Sequence, residues 1–284
     1  MNYRHIFHAG NICDVVKHAI FSLVIRHLRS KDKGFFVLDT HAGTGFYDLM
    51  AENSVKTGEA TSGIKQLLAH DSIIKHPLLS DYTGVLQKMN PMWTGESPEC
   101  IRIYPGSPML AFGLLREQDR LAACELHPED SQKLQLQAPN DKRFQVHCRD
   151  GYGAMKALLP PQEKRGVVLI DPPYEKSDEF DAVYNALTSA YQRWPTGIYM
   201  VWYPIKDVPQ IWQFHEKLAQ ANIPKILCAD FMYDEINAAR LHGSGMIIIN
   251  PPWKLEEDIL ILFDLLRTAL VPDKGRFTVK QLAN

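Results

Sequence analysis

The chain has 284 residues, 45% of them hydrophobic, which is enough for a sizeable core and excludes a disordered or fibrous protein. Its 31 Lys and Arg against 33 Asp and Glu give a net charge of −2, so the chain is not uniformly basic in the way phosphate binding most readily announces. The five scattered cysteines form no Cys-x-x-Cys pair, and no stretch reaches the run of about 20 apolar residues that a membrane helix needs. A zinc ribbon, a disulfide framework and a membrane helix are therefore not expected. With no apolar signal core at the start, a cytoplasmic protein is.

In chain order, residues 1–33 hold six Lys or Arg against two Asp, a basic end suited to a phosphate backbone or simply to a solvated helix face. Residues 12–30 place Val15, Val16, Ala19, Ile20, Leu23, Val24 and Leu28 at helical spacing, which predicts an amphipathic helix packed on a sheet. A first strand follows at Phe35–Asp39. Between Gly45 and Pro105 the pattern breaks into short helical and turn-rich pieces, so residues 46–105 read as an inserted, mostly helical subdomain. The main domain then comprises residues 1–45 and 106–284.

From residue 106 strand-length apolar runs alternate with helical patterns, which predicts a doubly wound α/β sheet with helices on both faces. Strands are expected at Leu121–Glu125, Phe144–Cys148, Val167–Asp171, Ile198–Tyr203, Ile226–Phe231 and Met246–Asn250. Helices are expected at Met109–Leu115 and near 128–137, 151–158, 178–193, 206–221 and 255–269. The last two strands have no room for a helix between them and should pair antiparallel.

Several strands end in carboxylates. Asp39 leads into Thr-His-Ala-Gly-Thr-Gly45, and Gly43 and Gly45 would let the backbone approach a nucleoside, although a tight turn alone would explain both. Glu125, at the next strand end, suits the two hydroxyls of a ribose. Asp150 is placed to accept an adenine amino group, with Gly151 leaving room for the ring. This set suits a neutral or cationic nucleoside, and no third glycine follows Gly43-Thr-Gly45 as a dinucleotide site requires. S-adenosylmethionine, with its positive sulfonium, fits these features. Ser107 before Pro108 reads as a helix N-cap that would also reach the methionine end of such a cofactor.

Asp171-Pro172-Pro173-Tyr174 follows a buried strand. Adenine N6 is a poor nucleophile unless acceptors hold its two hydrogens. The Asp171 carboxylate and the Pro172 carbonyl can do so, while Tyr174 stacks on a base taken out of its helix. Asn250-Pro251-Pro252-Trp253 repeats the pattern after the last strand and is expected to be structural. In the first helix Asp14, Lys17 and His18 share one face. His5, His8, Asp14 and His18 would need a convergence that spacing does not show to hold an ion, so no metal is expected. Lys17 or His18 pairing with the cofactor carboxylate is more economical, with Tyr3 and His5 over the target base.

The segments F-H-A-G-N-x-x-D-V-x-K-H (7–18), L-D-T-H-A-G-x-G (38–45), Y-P-G-S-P (104–108), L-R-E-Q-D (115–119), E-L-H-P (125–128), L-I-D-P-P-Y (169–174), G-I-Y-x-x-W-Y-P (197–204) and S-G-M-I-x-I-N-P-P-W-K-L-E (244–256) resemble the J-type 23S ribosomal RNA adenine-N6 methyltransferase family. The resemblance spans nearly the whole chain. It implies a Rossmann-like, seven-stranded class I methyltransferase fold and S-adenosylmethionine as cofactor. It also implies 23S rRNA, not yet fully assembled, as substrate. By the same resemblance His18, His41, Ser107, Glu125, Asp150 and Gly151 bind the cofactor, Asp171 is catalytic and Tyr3 meets the target nucleotide. A monomer without an obligate protein partner is expected. A DNA adenine methyltransferase and a non-catalytic nucleic-acid-binding protein linked to use of external DNA remain the alternatives.

Overall fold

The computed structural model describes residues 8–95, 97–235 and 241–283. In chain order it comprises α1 (Ile12–Arg29), β1 (Phe36–Asp39), β2 (Phe46–Asp48), α2 (Glu52–Thr57), a π-helical turn (Thr61–Lys65), α3 (Gln66–Leu68), α4 (Asp71–Ile74), a 3-10 turn (Pro77–Leu79) and α5 (Ser80–Met89). A second 3-10 turn (Pro98–Cys100) leads to β3 (Ile103–Pro105), α6 (Ser107–Leu114), β4 (Arg120–Glu125), α7 (Pro128–Gln137), β5 (Phe144–Cys148), α8 (Gly151–Leu158) and β6 (Gly166–Ile170). The chain closes with α9 (Glu179–Arg193), β7 (Ile198–Ile205), α10 (Val208–Ala219), β8 (Ile226–Met232), β9 (Gly243–Ile249), α11 (Leu255–Leu270) and β10 (Arg276–Ala283). Among the described residues no helix is long and apolar enough to cross a membrane.

The central sheet has the order β10-β8-β9-β7-β6-β1-β4-β5. Strands β7, β6, β1, β4 and β5 are parallel, and β9 runs antiparallel to β8, as expected, and also to β7. The sheet has eight strands rather than the expected seven. The addition is β10, antiparallel to β8 at the edge, where one face stays largely in solvent, so its sequence carries no apolar run. A separate two-stranded ribbon, β2 with β3, closes the two ends of residues 46–105.

Alternation along each strand feeds two cores. Val37, Val167 and Leu169 belong to one, and Phe36, Leu38, Val168 and Ile170 to the other, so these strands are apolar without a break. Helices α8, α9 and α10 cover the second face, while α1, α6, α7, α11 and much of 46–105 cover the first.

Helix α1 departs from the amphipathic reading. Residues 13–25 are all buried, because the segment 61–65 and α5 cover the side that would otherwise meet water. Asp14, Lys17, His18 and Ser22 are therefore interior polar groups, and such groups persist only with partners.

Two cations of the basic end are paired locally. Arg26 and Arg29 pair with Asp81 of α5 at 2.6 and 3.2 Å, and Arg116 and Arg165 donate to backbone carbonyls of residues 28–33. These groups lie beside the start of β1, at the edge of the sheet opposite the strand-end carboxylates.

Candidate active site

Parallel strands deliver their carboxyl ends to one edge: β1 ends at Asp39, β4 at Glu125, β5 just before Asp150 and β6 just before Asp171. A cavity of about 530 Å³ opens there, within the usual small-molecule range of about 300–1,000 Å³. Lys17, His18, His41, Gly43, Ser107, Glu125, Asp150, Gly151, Asp171 and Pro172, singled out in the sequence, all line it. Asp39 does not.

Asp39 is fully buried. Its Oδ1 accepts the His41 N–H at 3.3 Å, the nearby Ser107 side chain favours its charged form, and its Oδ2 has no partner. Burial pushes its carboxyl up to about 7. Gly106 is the N-cap of α6, and Ser107 is its first residue with no capping bond, correcting the N-cap reading: its side chain is engaged with Asp39 instead.

Glu125 joins two loops, with Oε2 accepting the Gly43 N–H at 2.9 Å and Oε1 the His127 N–H at 2.8 Å. Burial raises its carboxyl, opposed by those two amides. Gly43 and Gly45 adopt φ of +62° and +93°, and a Cβ on Gly43 would lie 2.3 Å from the Tyr47 hydroxyl, so turn geometry and close approach both require glycine there. Asp150 caps α8, accepting the Gly153 N–H at 2.6 Å. Gly151 also meets a packing constraint: a Cβ would lie 2.2 Å from the Thr40 carbonyl oxygen.

His41 is held neutral, burial lowering it to about 4, and its ring meets Tyr152 edge-on at 5.4 Å. Tyr152 donates to Glu179 at 2.7 Å, and both line the cavity. Sequence reasoning missed this pair, because they are 27 residues apart on α8 and α9 and nothing local marks them.

The Asp171 carboxylate is held by Lys17. The buried Lys17 ammonium lies 2.5 Å from Asp171 Oδ2 and 2.9 Å from Asp14 Oδ1. Burial works against its charge, but the two carboxylates outweigh it and raise Lys17 well above its ordinary value. This ammonium, expected to meet a cofactor carboxylate, is thus already bracketed by two carboxylates of the chain. His18 Nδ1 is hydrogen-bonded to the Tyr104 hydroxyl at 2.9 Å, its ring stacked on Tyr104 at 5.6 Å.

Asp171 also lines a smaller cavity of about 190 Å³, together with Tyr174, Trp202, Pro204 and Lys206, among others. Lys17, Asp171 and Pro173 line both cavities. Tyr174, at φ +50°, donates its hydroxyl to the Trp202 carbonyl at 2.8 Å and packs on Phe180 at 4.8 Å. Tyr3 and His5, expected over the target base, lie outside the described residues.

The second tetrad is at the opposite edge, because β9 runs antiparallel to β7. Asn250, at φ +54°, donates its amide to the Pro195 and Gly197 carbonyls at 2.8 and 2.7 Å, a loop-fastening role.

A family model described as "Ribosomal RNA large subunit methyltransferase D, RlmJ" matches residues 32–283. The Escherichia coli (strain K12) protein "Ribosomal RNA large subunit methyltransferase J" is 42% identical over 273 residues, covering 96% of this chain and 95% of its own. Its Haemophilus influenzae namesake is 40% identical over 282 residues, covering 99% and 98%. A solved structure from Legionella pneumophila is similar at 34% identity with a TM-score of 0.87, covering 96% of this chain and 98% of that one.

Proposed function

The chain belongs to the RlmJ family of ribosomal RNA large subunit methyltransferases, and we propose that it methylates the N6 amine of one adenine in 23S ribosomal RNA. It is a class I methyltransferase that uses S-adenosylmethionine, whose sulfonium supplies an electrophilic methyl group.

One observation carries the N6 reading: the Asp171 carboxylate lines both cavities, with Lys17 beside it. The larger cavity is rich in carboxylates, including Glu125, Asp130, Asp150 and Glu179, which favours a cationic nucleoside. Glu125 has both oxygens anchored by backbone amides and keeps lone pairs for two ribose hydroxyls, while Ser107, which lines the cavity with the buried Asp39 behind it, offers a hydroxyl to the amino-acid end. The smaller cavity offers the aromatic rings of Tyr174 and Trp202 to a flat base.

In this reading Lys17 holds one Asp171 oxygen and keeps the carboxylate oriented. The Asp171 carboxylate and the Pro172 carbonyl accept the two N6 hydrogens, so the nitrogen lone pair is turned toward the larger cavity. The Asp171 carboxylate would offset the positive charge that develops on N6 as it gains the methyl group, and would take up the proton that the methylated amine releases. A base presented this way has to leave its helix, so the substrate is rRNA not yet enclosed in an assembled subunit. The enzyme acts in the cytoplasm as a monomer, with residues 46–105 as an insertion into the methyltransferase domain.

The test is transfer of tritiated methyl from S-adenosylmethionine to 23S rRNA lacking the modification, followed by nucleoside analysis. N6-methyladenosine is expected with wild-type protein and not with Asp171→Ala. Methylation on another atom, or equal transfer to adenine-containing DNA, would refute the reading.

A further inference from the structure

Glu59 belongs to the inserted residues and touches neither reacting group, yet it begins a line of contacts that ends at Asp171. Its carboxylate meets His8 Nδ1 at 2.9 Å and accepts the Asn11 amide at 3.0 Å. Asn11 is the N-cap of α1, its Oδ1 accepting the Asp14 N–H at 2.9 Å. Asp14 Oδ2 accepts the Gly10 N–H at 3.0 Å, and Asp14 Oδ1 holds the Lys17 ammonium that holds Asp171. The backbone braces the same turn: the Ile64 N–H donates to the Gly10 carbonyl at 2.8 Å, and a Cβ on Gly63 would lie 2.1 Å from that oxygen.

His8, Asn11, Asp14, Lys17 and Asp171 all line the smaller cavity, and only Lys17 and Asp171 of these reach the larger one. We propose that Glu59 is a positioning residue for the target nucleotide: through His8 and Asn11 it fixes the wall of the smaller cavity and, through the start of α1, the Asp14–Lys17–Asp171 ion triad. The assignment rests on the reading of the smaller cavity as the nucleotide side of Asp171. A charged partner set on a turn by a separate part of the chain keeps that wall in register, which is how groups remote from chemistry affect reaction geometry.

His8 faces Glu59 and Asp14, and Lys17, Asp171 and Lys206 line the same cavity. The Glu59 hydrogen bond raises His8 above its ordinary value against the pull of burial. Because the folded-state value of His8 is raised, the clasp is complete while His8 is protonated and Glu59 ionised, and weakens as pH rises through the His8 value.

Glu59→Ala is expected to lower kcat/KM for unmodified 23S rRNA by about tenfold or more, chiefly through KM, with S-adenosylmethionine affinity within about twofold of wild type. Glu59→Gln keeps an oxygen for Asn11 and should recover part of the loss, while its alkaline limb of kcat/KM moves to lower pH. His8→Ala combined with Glu59→Ala should lose less than the product of the single losses. Hydrogen exchange on the protein alone gives an activity-free readout: Glu59→Ala should speed exchange at the Gly10 and Asp14 amides. Unchanged exchange with unchanged kcat/KM overturns the proposal, as does a parallel fall in cofactor affinity and melting temperature. Wild-type protein inactive on 23S rRNA, with exchange still responding to Glu59→Ala, counts against the substrate reading while supporting the clasp.

Discussion

Asp171-Pro172-Pro173-Tyr174 and Asn250-Pro251-Pro252-Trp253 share one pattern, a polar residue, two prolines and an aromatic after a buried strand, yet they sit at opposite edges of the same sheet. At 171 the polar group is a carboxylate with a buried ammonium against it, and it lines two cavities. At 250 it is an amide donating to two carbonyls, and the ring at 253 is 80% exposed. Strand direction decides between chemistry and architecture, since only the carboxyl ends of the parallel strands converge with the other acids.

The sharpest way to break the comparison is to exchange losses between the two sites. Asp171→Ala should lower kcat by about a thousandfold, the range for removing a preorganised charge at the reacting atom, while S-adenosylmethionine affinity by calorimetry changes little. Asn250→Ala, assayed at equal folded protein, should leave kcat within about twofold. Comparable kcat losses at both sites would erase the distinction.

The Lys17 ammonium is what the second tetrad lacks. Lys17→Met leaves Asp14 and Asp171 facing each other without a cation, and should destabilise the fold by about 3 kcal/mol in denaturant unfolding. Full stability in that variant would mean that the carboxylates do not depend on the ammonium.

Much of this contrast is legible in the amino-acid sequence. The acid-ended strands, the Pro-Pro turns and the alternation of strand and helix are local signals, and Phe144–Cys148 and residues 151–158 fall where the pattern puts them. The partners were not legible, since Lys17 and Asp171 are 154 residues apart, and Glu59 is 51 from His8. Helix α1 read as amphipathic because its polar face is real, and nothing local says that residues 46–105 would bury it. β2 and β3, three residues each, exist only through their mutual pairing. Lone acids such as Asp39 and Asp150 were visible as strand ends, but their commitments to Ser107 and to the Gly153 amide depend on tertiary approach and capping geometry.

At the amino edge the expected loss is one of stability. Asn250→Ala removes two hydrogen bonds to carbonyls of the 195–197 turn and should lower unfolding free energy by about 2 kcal/mol, read from the shift in denaturant midpoint. Asn250→Asp replaces the donor by an acceptor facing two carbonyls and should be worse than Ala. The reverse ranking would show that the φ of +54°, which Asn tolerates well, matters more than its amide.

The smallest effect sharpens the comparison at the aromatic position. Tyr174 has its hydroxyl fastened to the Trp202 carbonyl and its ring against Phe180 and edge-on to Trp202, whereas the exposed Trp253 has the Lys254 ammonium 4.5 Å from its ring. Tyr174→Phe keeps the stacking surface and removes one hydrogen bond, so it should cost about 1 kcal/mol of stability and change kcat/KM for rRNA by less than about tenfold. Trp253→Phe should move neither quantity measurably, because its ring buries little. If Tyr174→Phe instead reduced kcat as severely as Asp171→Ala, the hydroxyl would have to act on the reacting amine directly. That would conflict with its donation to Trp202, and the acceptor pair for the N6 hydrogens would have to be reassigned.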